Sequence, residues 1–517
     1  MTDDSLVSLT LPTLQRGHAP QLTDVPVQSN FQKPYSNDTV LIIDWDGPND
    51  SQNPKNWSLK RKWAATAIVA SFSFMGPVSS SMIAPATGQV ASTFGIDNDV
   101  INALTTSIFV LAFAFGPLFV GPMSELYGRS RVLQVANLWY LAWNFGCGFA
   151  QTESQLLAFR FLAGMGGGAP TSVGGGLLSD CWRPEERGKA FALYSLAPLL
   201  GASVGPITGA WVAERSSWRW VFWSTSIADA VVQILGVFFL RETYAPILLE
   251  RKAERIRRSM DAEKVSYGEI RTVFDGQDRS KVFLQFHWHT IMAKALIRPF
   301  ALFFCEPIVQ VLGVYMAYLY GSHYLILTTI PSIFQGVYQQ SVGITGLHYI
   351  ALGIGLVGAS CSNASILDKV YLYLKSKKGG VGKPEFRLPP MFPGTLVFMI
   401  GCLILGWAAQ AHAHWIVPDI GIMLVGAGIT LNIQSIHTYI VDCFTLHAAS
   451  ALAAACCLRS LAGFGFPLFA PAMYSALGFG KGDTILAVTA FVLGCPAPWI
   501  LWRYGERIRN SSRYAQP

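Results

Sequence analysis

A short charged turn separates two long apolar runs, in Gly121-Pro122-Met123-Ser124-Glu125-Leu126-Tyr127-Gly128-Arg129-Ser130-Arg131. Gly121 is expected to permit close approach of two helices, and Gly128 a tight bend. Glu125 falls at a helix C-terminus, where an acid opposes the helix dipole and requires a basic or helix-N-terminal partner. The spacing predicts an ionic latch that holds one helix bundle against another. Membrane topology alone is the alternative explanation for Arg129 and Arg131.

Several ionisable residues lie inside apolar runs, namely Arg160, Asp229, Glu306 and Arg459. A charge at the centre of a membrane span costs roughly 2.5–3.5 kcal/mol on insertion scales, so such side chains are expected to face the protein interior. An acid removed from water favours its neutral form. Asp229 and Glu306 are therefore candidates for carrying a proton or holding a cationic substrate. A structural pairing is the alternative for each of these residues.

A further apolar run has glycines at every fourth position, Gly201, Gly205 and Gly209, together with Pro206. This spacing places the glycines on one helix face, where a neighbouring backbone can approach closely. The proline removes a backbone hydrogen bond and bends the helix. The pattern is typical of a helix that bends during transport, with simple small-residue packing as the alternative.

The composition predicts a membrane protein. Of the 517 residues, 51% are hydrophobic and 13% are charged, whereas a soluble domain has about 25% charged residues. The net charge of +7 follows the loops of one membrane side and does not indicate nucleic-acid binding. The nine cysteines show no metal-ligand spacing. No phosphate-binding loop, cofactor motif or catalytic triad is evident, which argues against direct ATP drive and against an enzyme.

Twelve apolar segments of about 20 residues, long enough to cross a bilayer, predict an all-α polytopic protein with two six-helix bundles. They lie at 63–85, 101–122, 131–150, 155–178, 189–212, 218–240, 300–328, 345–367, 391–411, 416–437, 448–474 and 483–503. The predicted bundles are therefore 63–240 and 299–503. A largely disordered tail at 1–62, a charged central loop at 241–298 and a short tail at 504–517 complete the chain.

The distribution of Lys and Arg predicts the orientation. Basic residues precede the first span and follow the second, fourth, eighth and twelfth spans, whereas the loops 86–100, 151–154, 329–344 and 412–415 have none. Arg215 and Arg219 are exceptions. By the positive-inside rule, both termini and the central loop are expected to be cytoplasmic.

The turn at 121–131 resembles the signature loop of the major facilitator superfamily, whose usual form is G-x-x-x-D-R-x-G-R-R. This sequence has Glu125 for the Asp, Leu126 for the first Arg and Ser130 for the last Arg. The resemblance implies a conformational lock made by Glu125 and Arg129, with Asp180 at the end of the fourth span as a partner.

Two other stretches are similar to motifs of the same family. The resemblance of 156–166 to the fourth-helix arginine motif implies that Arg160 takes part in proton coupling. The G-x-x-x-G-P-x-x-G stretch resembles the antiporter motif of exporting members, although Ala210 stands where the family usually has a second glycine. The similarity covers nearly the whole chain after residue 44 and points to the fungal twelve-span drug:proton antiporters. In that branch an R-P … E-P-I stretch is common, so Glu306 could reflect lineage architecture.

The second half holds only a degenerate copy of the charged turn, at Asp368-Lys369. Because the Gly-Arg element is missing there, we expect an asymmetric lock that is stronger in the N-terminal half.

These observations predict a proton-coupled exporter of amphipathic small molecules, such as a drug, toxin or secondary metabolite. We expect it to work by alternating access, as a monomer, in the plasma membrane, with the vacuolar membrane as the alternative. A polyamine exporter, an uptake symporter and a non-transporting receptor are the other functions considered. Its expected partners are the small-molecule substrate, protons and lipid, without a cofactor, metal or nucleic acid.

Overall fold

The protein is described from a computed structural model, which covers residues 41–183, 186–262, 270–274, 297, 299–379, 382–444 and 448–512. Most of the predicted tail at 1–62, most of the central loop at 241–298 and the end of the C-terminal tail lie outside these residues. The described chain is largely α-helical. Its helices are α1 Leu59–Ser81, α2 Thr87–Phe94, α3 Asp99–Tyr127, α4 Arg129–Cys147, α5 Glu153–Gly167, α6 Ala169–Cys181, α7 Arg187–Arg215, α8 Trp218–Phe239, α9 Ala245–Ala262, α10 Pro307–Pro331, α11 Val342–Leu347, α12 Tyr349–Lys377, α13 Met391–Gln410, α14 Ile416–Cys443, α15 Ala448–Gly494 and α16 Pro496–Asn510.

Eight helical segments in the described ranges are long and apolar enough to cross a membrane, or nine if a bent pair is counted as one span. The bent pair is Pro299–Cys305 with Pro307–Val337, which turn by 104° at Glu306. One of the eight, Ser450–Asn510, has 61 residues and contains a sharp break at Gly478, where φ is +75°. It therefore provides two crossings.

The remaining two crossings are α4 and the broken pair α5–α6, whose helices have 15 and 13 residues and are each too short to cross alone. They carry Arg129, Asn137, Asn144 and Arg160, whose side chains are buried or partly buried within the protein. Their polar residues face other helices, so that lipid contacts mainly the apolar residues of these spans. With these crossings the described part of the chain has twelve spans.

The spans form two halves, α1–α8 and α10–α15. In the first half α1 packs on α7, and α5 lies against α3 and α4. In the second half α10 packs on α15, and α14 lies between α12 and α13. Each half has its own buried apolar core. Ala84, just after α1, belongs to the core of the second half, and Ala114 and Leu118 of α3 pack with Cys457 of α15.

We call the side on which α1 begins and α3 turns into α4 the tail side, and the opposite side the far side. The halves meet where α7 packs on α11 and α12, and where α3 packs on α15. On the far side, Gly346 of α11 faces the buried Ala210 of α7, where a Cβ on the glycine would lie only 2.5 Å from the alanine Cβ.

A small sheet on the tail side ties the N-terminal segment to the central segment. Strand β1, Leu41–Ile43, pairs in parallel with β2, Ile270–Thr272. Ile43 and Ile270 are buried against Ala253 of α9. Lys252 of α9 bonds the Asp46 carboxylate at 2.5 Å, so this part of the predicted tail has a defined structure.

Candidate functional site

The Arg129 side chain forms the centre of an ionic cluster on the tail side of the first half. Its Nε donates to Asp180 Oδ2 at 2.5 Å, and its guanidinium lies 4.9 Å from the Tyr244 ring centroid. Gly176 makes room for it, because a Cβ at that position would overlap the guanidinium. Burial raises the pKa of the Asp180 carboxyl to about 6, although the Arg129 charge acts in the opposite direction.

Glu242, just after α8, caps the N-terminus of α4. Its Oε1 accepts hydrogen bonds from the backbone nitrogens of Arg129 at 2.9 Å, Thr243 at 3.0 Å and Tyr244 at 3.1 Å. Gly128 has φ +104° and lies so close to this carboxylate that any Cβ would collide with it. An acid at a helix N-terminus also interacts favourably with the helix dipole. The turn is therefore built around Glu242, for which the sequence analysis gave no role.

The structure places the other residues of this turn differently from the expected latch. Glu125 is exposed, and within the described residues it has no ion pair. A Cβ at Gly121 would meet no atom within 4 Å, so the expectation of a close helix approach there is wrong for this conformation. The side-chain partners of Arg129 also all belong to the first half. In this conformation the cluster holds α4, α6 and the segment after α8 together within one half.

The second half has an ionic cluster in the corresponding place. Arg387, before α13, donates to Asp442 of α14 at 3.2 Å and to Asp368 of α12 at 2.8 Å. Its guanidinium lies 4.5 Å from the Tyr371 ring centroid. Arg387 precedes the ninth span just as Arg129 begins the third, and Asp442 lies near the end of the tenth span as Asp180 does in the fourth. The connection that lacks the Gly-Arg element thus supplies its arginine from a later position, 19 residues after Asp368, and the greater strength of the N-terminal lock stays a prediction.

Arg160 is completely buried and is bound by backbone carbonyl oxygens. Nε donates to Thr105 O at 2.9 Å, and Nη1 donates to Ser79 O at 2.9 Å. Nη2 donates to Ser80 O at 3.3 Å and to Thr106 O at 3.2 Å. The guanidinium thereby joins α5 to α1 and α3, and within the described chain it has no carboxylate partner.

Asp229 lies in a buried polar layer between α4 and α8. Its Oδ2 accepts from Asn137 Nδ2 at 2.9 Å, whereas Oδ1 is buried without a hydrogen-bond partner. Asn137 also donates to Gln233 Oε1 at 3.0 Å. Tyr140 is close enough to interact electrostatically with both Asp229 and Arg160. Arg160 and Asp229, both predicted to take part in proton coupling, are therefore near the same tyrosine but form no hydrogen bond or ion pair with each other.

Glu306 lies apart from these residues, at the bend that precedes α10 on the tail side. It accepts a hydrogen bond from Ser512 Oγ at 2.8 Å, which attaches the end of the described chain to the seventh span. This contact suits a structural role.

Another buried acid, Asp483, follows the break in α15. Tyr474 donates to its Oδ1 at 2.5 Å, and Oδ2 is buried without a partner. In the sequence this residue follows Gly480-Lys481-Gly482 at the edge of a span, and the sequence analysis gave it no role.

The glycine face of α7 packs directly on the backbone of α1. A Cβ at Gly201 would lie 2.5 Å from Phe74 O, and one at Gly205 would lie 2.7 Å from Val78 O. A Cβ at Gly209 would overlap Met82 O. Pro206 lies inside the same helix. Ala210 is on a different face, opposite Gly346 of the second half, so the residue that departs from the family pattern does not lie against α1.

The sequence matches the family model of the Major Facilitator Superfamily over residues 69–467. The chain belongs to this superfamily. It is 46% identical over 474 residues to the efflux pump vrtL of Penicillium aethiopicum, covering 92% of this chain and 91% of that protein. It is 40% identical to the efflux pump radE of Floropilus chiversii, covering 92% and 86%.

Solved structures show the same fold at low sequence identity. The inward-open xylose transporter XylE from E. coli has a TM-score of 0.62 at 14% identity, covering 86% of this chain and 96% of that chain. An inward-facing bacterial homologue of the human lysosomal transporter Spinster has a TM-score of 0.60 at 14% identity, covering 89% and 100%. The predicted fold class, twelve spans in two six-helix bundles, is confirmed, and this member of the superfamily is a transporter of small molecules.

Proposed function

We propose that this superfamily member is a proton-coupled exporter of amphipathic small molecules that works by alternating access. The names of the relatives in Penicillium and Floropilus support export. The observation that carries the coupling is the Asp229 carboxyl, which is completely buried and has a single neutral hydrogen-bond donor.

A carboxylate in this environment is costly. Burying an ionised group without a paired charge costs so much that the group usually takes up a proton instead. The described residues provide Asp229 with no ion pair, and one of its oxygens has no hydrogen-bond donor. The carboxyl is therefore suited to hold a proton when closed off from water and to release it when water reaches it.

The packing of the two halves supports rigid-body movement. Each half has its own apolar core and its own ionic cluster, around Arg129 and around Arg387. Contacts between the halves concentrate along α7 with α11 and α12, and along α3 with α15. In such folds the two bundles rock around a central substrate site.

Export and its proton dependence can be tested in yeast cells that lack their own drug pumps. Efflux of a panel of fluorescent amphipathic compounds would be measured with and without a protonophore, and we expect the protonophore to abolish it. Efflux that persists with the protonophore would contradict proton coupling, and a chain that extrudes no compound would contradict export. Tagged protein in the same cells would show whether it reaches the plasma membrane, as we propose.

The role of Asp229 needs a matched pair of variants. Asp229→Asn keeps the shape of the neutral acid, and Asp97→Asn removes an acid from the exposed loop before α3. In liposomes with a pH gradient, Asp229→Asn should bind substrate but no longer accumulate it, whereas Asp97→Asn should behave like the unsubstituted protein. Normal gradient-driven transport by Asp229→Asn would remove Asp229 from the mechanism.

A further inference from the structure

Two arginines, the buried Arg160 and the partly exposed Arg459, flank the contact between the halves. Tyr324 of α10 bonds Ser80 of α1 at 2.7 Å, and its hydroxyl is close enough to interact electrostatically with both Arg160 and Arg459. The buried acids lie elsewhere: Asp229 between α4 and α8, Asp483 beside Tyr474. The centre of the interface therefore has positive charge that no described carboxyl neutralises.

Arg459 differs from Arg160 in having open hydrogen-bonding capacity. Arg160 donates to four carbonyl oxygens. Arg459 is partly exposed, has no hydrogen bond or ion pair among the described residues, and its buried Nε has no acceptor. The ionisable groups that act on it include Cys456, Tyr320 and Tyr324, and no described carboxyl is paired with it.

Aromatic and imidazole rings surround this free guanidinium. Its Cζ lies 4.5 Å from the Tyr320 ring centroid, and Tyr320 is 5.1 Å from Tyr324 and 6.1 Å from His323, centroid to centroid. His323 Nδ1 and His437 Nε2 are also buried without hydrogen-bond partners, and both histidines interact electrostatically with Arg459. Arg459 and His323 thus share one aromatic environment, and each has a buried nitrogen without a partner.

The position of this group is suited to a ligand between the halves. Tyr320 lies against Gly463 of α15, where a Cβ would also contact Val110 of α3 in the first half. The cluster therefore combines residues of α10, α14 and α15 and borders α1 and α3.

We propose that Arg459 binds the acidic group of an anionic aromatic substrate, such as a carboxylate or a phenolate, and that Tyr320 and Tyr324 pack on its rings. This inference rests on the transport function proposed above and specifies its substrate class. A guanidinium binds a carboxylate through charge-assisted, often bidentate hydrogen bonds, and the interaction strengthens where water is excluded. A cationic compound would be repelled by two arginines whose charge no described carboxyl neutralises, and this counts against a polyamine substrate.

Two xanthene dyes of similar ring size and opposite charge, anionic fluorescein and cationic rhodamine 123, test the inference. Binding to the full-length protein in nanodiscs would be measured by fluorescence anisotropy. We expect fluorescein to bind more tightly than rhodamine 123, and Arg459→Gln to weaken fluorescein binding by about tenfold or more, as for a hydrogen bond to a charged group. Arg459→Lys should restore part of the affinity, and Arg459→Gln should not weaken rhodamine 123 binding.

The matched control is Arg503→Gln, which removes the same charge from an exposed position in α16 and should leave both affinities unchanged. If Arg459→Gln fails to fold, benzoate and benzamide are compared as competitors for fluorescein binding to the unsubstituted protein. Benzoate carries the acidic group and benzamide does not, so benzoate should compete more strongly. Preference for rhodamine 123, absence of fluorescein binding, or equal competition by benzamide would overturn the inference. Because binding is measured without a proton gradient, these outcomes are separate from a failure of proton-coupled export.

Discussion

Ser80 and Tyr324 share a hydrogen bond of 2.7 Å that joins the two halves of the protein. Both side chains are buried. The Ser80 carbonyl oxygen also accepts from Arg160 Nη2 at 3.3 Å, so the bond connects the carbonyl-bound arginine of the first half to the second half. It must break if the halves separate at this point.

Tyr324→Phe should favour separation of the halves on the far side. One buried hydrogen bond contributes about 1 kcal/mol, which corresponds to roughly a fivefold change in the ratio of closed to open protein. The measurement is the rate at which a water-soluble maleimide labels Ala210→Cys, a buried position that faces Gly346 across the interface, in a background without native cysteines. Tyr504→Phe, at an exposed position, is the control. Equal labelling rates in both variants would show that the bond does not hold the interface closed.

The Arg129–Asp180 pair should contribute measurably to the stability of the first half. Both side chains are mostly buried, with 14% and 21% exposed, so we expect a coupling of about 1.5–3 kcal/mol in a double-mutant cycle with Arg129→Gln and Asp180→Asn. The free energy of unfolding in detergent provides the readout. The exposed pair Arg258–Glu254 should give at most about 0.5 kcal/mol in the same cycle. Similar values for the two pairs would contradict a special role for the buried cluster.

The same coupling should depend on pH. Burial raises the pKa of Asp180 to about 6, so the carboxyl is charged at about pH 7.5 and mostly neutral at about pH 5, where we expect less than half of the coupling. Arg129, Glu242 and Thr243 are the groups that face it. Because the folded protein holds this proton more tightly than an unfolded chain, Asp180 should make the fold more stable as pH falls from about 6 to about 4. Asp180→Asn should remove that slope, and a pH-independent cycle would refute the assignment.

Gly209→Val should disrupt the packing of α7 on α1. The added side chain would overlap the Met82 carbonyl, and overpacking of this kind costs about 1–3 kcal/mol. We expect a lower yield of monodisperse protein and loss of export. Gly188→Val, in the same helix where a Cβ meets no atom within 4 Å, should leave both unchanged. Normal export by Gly209→Val would show that the close contact is dispensable.

Some features of this site could be read from short stretches of sequence because their causes are local. The glycines of α7 share a face because of the helical period alone. Gly128 separates helices α3 and α4 at the position where the motif predicts a bend. Apolar length predicted the spans, including α4 and the broken α5–α6, because each of these stretches is long enough to cross a bilayer.

The partners of these residues were decided only by the tertiary structure. Arg387 and Asp442 are 55 residues apart, and Arg129 and Glu242 are 113 residues apart, so no local spacing connects them. The hydrogen-bond partners of a buried charge come from neighbouring helices that are distant in sequence. For this reason Arg160 and Arg459, each an arginine within an apolar run, cannot be told apart in the sequence. The sequence by itself determined the membrane fold and the small-residue face of α7, since both follow from the period and apolarity of single segments. Only the packing of the halves decided that Arg160 is bound by carbonyl oxygens and that Arg459 keeps free donors, because that difference depends on which atoms surround each guanidinium.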